Sequence, residues 1–580
     1  MSKHSETINS GISRRNFLTG AAGVGALAAF GLAGCGQPTV VGEGEPAAEG
    51  EASATQASST TATDWLGEEP EVGEVASTVD VDLLICGCGM SGAVAGATAA
   101  DLGLNFAIIE KGAEVAASHY DIGAIHSRYQ QELDLDFDEK RWLNEWTRYA
   151  SFKNDQSVAR TWVENSGATV EWLADLYTEF LGTDIEVVVD EENDNAGGTT
   201  YFMPPECHHI QKAGVEGRDG WIEHVEVLSE YMASKGTEVT YNTKLVRLLH
   251  EDGKVTGAIA EGPDGLVQYN TSNVIIATGG YAANPDMLKS RNPIVPKCVT
   301  SLNYNQNNDG SGIKAALWAG ADMDTEAAAM IFDRGIVMPG VDAGYTDEGA
   351  GMWPTGGQFN LGSQPFLKVD RLGERICNES ANYDAICHAA ASHPGGVWCQ
   401  VFDVNAPEDV QRFKTQGCSA NTWKFTLKDT TVDEAYADRI DEGLICKADT
   451  LDELADMLGF EGDAKTQFLA TVDDYNAMYD AQEDTQFGKE AYRLSAIREA
   501  PFYGAWYGGS LLTTIDGVRI NRHCQALDAN RQPIEGLYMV GTASGSYYAG
   551  NYPVYLVGNC LGRQVTFGRY AVRHAAGDIA

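Results

Sequence analysis

A run of closely spaced glycines lies between two apolar stretches. Val81-Asp82-Leu83-Leu84-Ile85 leads into Gly87-Cys88-Gly89-Met90-Ser91-Gly92, residues from Ala93 to Leu102 have helical composition, and a second apolar run from Leu104 ends at Ile109-Glu110. Each part has a task in holding a pyrophosphate: Gly87 turns the chain tightly, Gly89 admits the phosphates against bare backbone, and Gly92 lets helix and strand pack closely. The helix N-terminus then faces the negative charge. Eighteen residues separate Gly92 from Glu110, close to the ~20 that put an acid on a ribose hydroxyl. The pattern predicts a dinucleotide site.

Two distant segments share the same form. Val274-Ile275-Ile276-Ala277-Thr278-Gly279-Gly280 is an apolar run ending in glycines, and Gly536-Leu537-Tyr538-Met539-Val540-Gly541-Thr542 is another, followed by Gly558-Asn559 at the start of a C-terminal helix. A dinucleotide bound by the first, middle and last parts of a chain is long and extended, which points to FAD. Other chemistries lack their residues. There is no Cys-x-x-Cys, no Cys-x-x-Cys-His haem site and no Gly-x-Ser-x-Gly nucleophile. His119, His126, His208, His209 and His393 have no metal-ligand spacing, so no metal is expected.

The elements required to position these residues are short parallel strands alternating with helices. The expected fold is α/β: a Rossmann-like FAD-binding domain with a parallel sheet (ββα type), an inserted α+β capping domain for substrate, and a disordered N-terminal tether. The expected organisation is 1–35 signal, 36–77 acidic low-complexity tether, 78–325 first part of the FAD-binding domain, 326–504 cap and 505–580 its C-terminal part.

Over about residues 80–580 the chain resembles the flavoprotein group that includes fumarate reductase, urocanate reductase and the 3-ketosteroid dehydrogenases. Asn308-Asp309-Gly310-Ser311-Gly312 is similar to the group's T-G-D-G segment, and Arg375-Ile376-Cys377-Asn378-Glu379 to its R-F-x-N-E. The resemblance implies non-covalent FAD touching Gly87, Gly89, Ser91, Gly92, Glu110, Lys111, Val246, Ala277, Gly279, Asp309, Gly541 and Asn559. Two positions depart from the pattern: Thr542 stands where the group has glutamate, and Ala117–Gly123 replaces its G-G-N-S/T segment.

The reacting end departs further. Tyr383 occupies the position of the fumarate reductases' proton-donating arginine, Leu511-Leu512 falls in register with their paired histidines, and Asn551-Tyr552-Pro553 stands where they carry a carboxylate-binding arginine. A dicarboxylate needs fixed cations to offset its desolvation. Their replacement argues against fumarate and toward the enone- and ketosteroid-type enzymes, cardiac glycoside reductase among them. A phenol can protonate a carbanion or polarise a ketone. The implied roles are Tyr383 as proton donor and Tyr552 as carbonyl partner, with Phe332, Asp333, Arg334, Tyr507 and Tyr548 lining the pocket.

The expected activity is therefore an FAD-dependent reductase that transfers hydride to an activated C=C bond of a neutral or apolar enone. The alternatives are a ketosteroid-type dehydrogenase working in the oxidative direction, and a carboxylate reductase of fumarate or urocanate type with a rebuilt site. A lipoprotein that binds ligand without redox chemistry is a third reading, which the FAD segments oppose.

Composition bounds the partners. The 580 residues carry 83 Asp and Glu against 40 Lys and Arg, a formal charge of −43, so nucleic acid is not expected. The 64 glycines exceed the typical ~7%. Ser13-Arg14-Arg15-Asn16-Phe17-Leu18 before an apolar stretch resembles a twin-arginine export signal, and Leu32-Ala33-Gly34-Cys35 a lipobox. These imply an extracytoplasmic protein anchored to the membrane through a lipidated Cys35. Electrons would come from a membrane cytochrome or a quinone-linked donor. The twelve cysteines are dispersed; an iron–sulfur cluster would need four of them to converge.

Overall fold

The computed structural model describes residues 65–579 apart from 117–118, 136, 190–203, 216, 304–306, 347–350, 356, 416 and 554–555. The twin-arginine segment, Cys35 and the tether up to residue 64 lie outside the described residues.

Three strands from three distant parts of the chain lie side by side. Val274–Ile276 is flanked in parallel by Leu83–Cys86 on one side and Pro533–Met539 on the other, and Phe106–Ile109 continues the sheet beyond Leu83–Cys86. Leu83–Cys86, Phe106–Ile109 and Val274–Ile276 are apolar on both faces because both are covered, whereas Pro533–Met539 begins exposed at Pro533 and Glu535. Register aligns Cys86, Ile276 and Met539, so Gly87, Ala277 and Val540 leave the sheet at one edge. Open α/β sheets bind ligands at that carboxyl edge. The helices Met90–Asp101 and Asn559–Ala575 pack together there.

The expected tether is shorter than 36–77. Val75–Asp80 is a strand parallel to Gly265–Asn270, Trp65 packs on the core, and Arg247 donates to the Pro70 carbonyl and pairs with Glu69 at 2.7 Å. A large indole and a cross-chain ion pair hold residues 65–77 against the body, although their composition is that of a linker.

A second, six-stranded sheet carries the reacting end. Its central strand, Phe502–Thr514, is antiparallel to Ala329–Val337, Trp398–Asp403 and Cys446–Ala448, and parallel to Val299–Leu302. The cap boundary expected at 504/505 falls inside this strand, and Val299–Leu302 joins the sheet from before residue 326. A separate apolar core under the helices Leu451–Met457 and Gly462–Ala481 includes Phe460, Phe468, Tyr475 and Trp506. The Arg-Ile-Cys-Asn-Glu motif has a structural task here. Arg375 is bidentate to both Glu379 and Asp484, with every N–O distance between 2.7 and 2.9 Å, and Lys489 stands 3.3 Å from Glu379.

Candidate flavin cradle and buried tyrosine site

At the carboxyl edge, sterics account for the glycines. Gly87 has φ +99°, and a Cβ there would stand 2.6 Å from the Ala277 carbonyl oxygen. A Cβ on Gly92 would run into the Gly87 carbonyl, and one on Gly541 into the Ser91 hydroxyl. Gly89 differs: a Cβ there meets nothing within 4 Å. It is the N-cap of Met90–Asp101 and provides no side-chain cap, so the first amides of that helix face open space. Gly558 likewise caps Asn559–Ala575 without a side chain, but packs on the Gly123 amide and the Asp121 carbonyl. These features fit a pyrophosphate.

Glu110 accepts the amides of Cys88 and Gly112, each at 2.8 Å, and a carboxylate so held has lone pairs left for ribose hydroxyls. Val246 is the extra residue of a β-bulge between Leu245 and Arg247, which takes its backbone out of the ladder. Asp309 pairs with Lys111 at 3.0 Å and Lys244 at 3.4 Å. Burial pushes its carboxyl up, but Lys111 and the Ser311 hydrogen bonds outweigh this and bring it down to about 2. Gly279, with φ +76°, leaves room for the Asn308 amide. Asn559 donates to the Tyr547 hydroxyl and accepts from Tyr548, both at 3.2 Å. Of the twelve residues expected at FAD, Gly87, Gly89, Ser91, Gly92, Ala277, Gly279 and Gly541 follow the three strand ends, Glu110 and Lys111 follow Phe106–Ile109, Val246 lies within the strand Lys244–Glu251, Asp309 pairs with Lys111, and Asn559 opens the C-terminal helix.

The tyrosine site is built on Ala329–Val337 and the helix Tyr383–Ala390. Phe332 and Tyr383 meet edge to face at 5.0 Å. The Arg334 guanidinium lies over both rings, 4.5 Å from Phe332 and 4.8 Å from Tyr383. Its Nη2 donates to Ser419 Oγ at 2.9 Å, and Ser419 Oγ is also 2.9 Å from the Tyr383 hydroxyl. Its Nε donates to Ser363 Oγ at 2.6 Å, and Ser363 donates to Asp333. Burial holds the Asp333 carboxyl above the usual carboxylate range against the opposing charge of Lys368. Lys368, itself brought down to about 8 by burial, donates to Gln400 Oε1 and the Gln364 carbonyl, both at 2.7 Å.

Tyr552 joins through its backbone, whose N–H donates to Asp384 Oδ2 at 3.1 Å. Burial raises Asp384 to about 7. Tyr552 is thus tied to the residue that follows Tyr383 at the start of its helix. Tyr548 stands 5.9 Å from the Tyr552 ring and borders a cavity of about 540 Å³ whose cations Lys153, Arg519 and Arg531 each pair with an acid. Tyr507 lies deeper, fully buried beneath Gly362 and stacked 6.4 Å from Trp398. Ser363, Lys368 and Ser419 are functional candidates with no motif to mark them: serines at the ends of the short 3-10 turns Asn360–Ser363 and Gly417–Ser419, 29 and 85 residues from Arg334, give no spacing signal.

The comparisons agree with this geometry. A family model described as FAD binding domain matches residues 82–561. The chain belongs to this FAD-binding family. It is 26% identical over 506 residues to the vinyl phenol reductase of Lactiplantibacillus plantarum, covering 85% of this chain and 96% of that one. It is 24% identical to the digoxin reductase of Eggerthella lenta, covering 98% of each. Among solved structures, the 3-ketosteroid Δ4-(5α)-dehydrogenase of Rhodococcus jostii RHA1 superposes with a TM-score of 0.63 at 19% identity, covering 87% of this chain and 98% of that one. The protein is an FAD-dependent oxidoreductase, with FAD as its cofactor. Among the described residues, the one group of three or more metal-type ligands within 4.8 Å of one another is Asp121, Cys207 and His209.

Proposed function

We propose that this protein is an exported, membrane-anchored reductase that saturates an activated C=C bond of a neutral or apolar enone. The observation that carries the reading is the hydrogen-bonded chain from Arg334 through Ser419 to Tyr383, at the position where the resemblance implies an arginine. FAD, when bound, supplies hydride at N5 to the β-carbon. Tyr383 gives its hydroxyl proton to the α-carbon, completing addition of two hydrogens. Arginine only donates, so Ser419 accepts from Arg334 and is left with its own proton to give to the phenolic oxygen as Tyr383 loses one. The Tyr552 hydroxyl polarises the carbonyl, and Phe332 and Tyr548 offer apolar surface to a flat substrate. Arg334, 1% exposed and bonded to two serines, serves Tyr383 in this reading rather than a substrate carboxylate.

The export and anchoring part rests on Arg14-Arg15 and Cys35. It implies electrons from a membrane cytochrome or quinone-linked donor. Names of the relatives support the reaction class: two are reductases of vinyl phenol and digoxin. The test is anaerobic incubation with reduced viologen and an α,β-unsaturated ketone or lactone, with products read by mass. A gain of two hydrogens is expected; oxidation of the saturated ketone with an artificial acceptor, and no reduction, would instead assign the dehydrogenase direction.

A further inference from the structure

A three-stranded antiparallel sheet, built from Ile122–Gly123, Cys207–Lys212 and Ile185–Val189, sits beside the flavin cradle. Alternation along a strand places Cys207 and His209 on one face and His208 on the other. His208 is committed there: its Nε2 is 2.7 Å from Ser127 Oγ and its Nδ1 2.8 Å from the Glu206 carbonyl. On the first face, pairing of Ile122 with His208 sets Asp121 across from His209, and Asp121 Oδ1 stands 3.0 Å from His209 Nε2. Gly123 lies opposite Cys207, so no side chain from that position covers the thiol. The sulfur, one imidazole nitrogen and one carboxylate oxygen all lie within 4.8 Å of one another.

We propose that Asp121, Cys207 and His209 bind one divalent transition-metal ion of the zinc class, with water as the fourth ligand. Around a tetrahedral ion with bonds of about 2.0–2.3 Å, ligand atoms stand roughly 3.2–3.8 Å apart, within a side-chain adjustment of the present separations. A thiolate with an imidazole selects zinc or cobalt over magnesium or calcium. Binding replaces the proton shared by Asp121 and His209 and removes the Cys207 thiol proton, and both pass to solvent. Entry is from the exposed side, where the His209 and Asp121 side chains are 35% and 32% accessible. Because the Gly123 backbone packs on Gly558 and Asn559, the ion would clamp this sheet beside the start of the C-terminal helix. The sequence conceals the site because its ligands come from two distant segments.

The test is titration of the chelator-treated, flavin-loaded protein with Co²⁺. One equivalent should produce visible bands and an ultraviolet thiolate charge-transfer band, reversed by Zn²⁺. Cys207→Ser should abolish the charge-transfer band, and Asp121→Asn and His209→Gln should each weaken binding roughly tenfold or more, with flavin absorbance retained as the check on folding. Absence of the band in the unmodified protein, or its persistence in Cys207→Ser, would overturn the proposal.

Discussion

Arg334 and Tyr383 share one hydroxyl: each stands 2.9 Å from Ser419 Oγ, while the guanidinium lies 4.8 Å from the centre of the phenol ring. A cation so close, with a serine between, stabilises a phenolate once the proton has left. The arrangement couples the acid to a buried charge system that reaches Asp333 through Ser363.

Tyr383→Phe removes the proton and leaves the ring contact with Phe332. The expected result is a fall of about 10²-fold or more in enone reduction with flavin content unchanged, measured by dye-linked turnover and flavin absorbance. An unchanged rate would remove Tyr383 from the mechanism.

Ser419→Ala breaks the connection while leaving both Arg334 and Tyr383. Turnover should fall roughly tenfold, on the order of one lost charge-assisted hydrogen bond. The alkaline arm of the pH–rate profile should move to higher pH, because the phenolate loses its donor. Ser419→Thr, which keeps the hydroxyl, should restore most of both.

Gly92→Ala tests the cradle. The added Cβ runs into the Gly87 carbonyl, so the loop cannot keep its present close approach to the helix start. Purified protein should carry less than about a tenth of the wild-type flavin; full occupancy, read from the absorbance ratio, would contradict the placement of the cofactor.

The fold was legible where local sterics dictate the residue. Gly87 and Gly92 could be placed because only glycine permits those backbone approaches, and the strands beside them are apolar throughout because both faces are covered. The strand Val75–Asp80 was not legible: its partner Gly265–Asn270 lies nearly two hundred residues on, and its own side chains are mostly exposed. Phe332, Asp333 and Arg334 were visible as neighbours of the reacting end. Ser363 and Ser419 were not, since a serine acquires a role only from the partner that folding brings to it.

Asp384 gives a prediction in pH. Burial raises its carboxyl from 3.8 to about 7, so between those values the folded protein holds a proton that the unfolded chain has released. Stability from this residue is therefore greatest at the acid end and falls as pH rises from about 4 to 7. Asp384→Asn keeps an acceptor for the Tyr552 amide and should remove that slope. Thermal unfolding of both proteins across pH 4 to 7 checks it: the wild type should lose stability relative to the variant, and parallel curves would show that Asp384 does not titrate there.

The substrate class is tested most directly by comparing kcat/KM for a neutral α,β-unsaturated ketone or lactone with that for fumarate and urocanate, under reduced viologen. With Arg334 bound to two serines and Arg519 and Arg531 each paired with an acid, the neutral enone should be favoured by at least about tenfold. Fumarate or urocanate outperforming every neutral enone would contradict it.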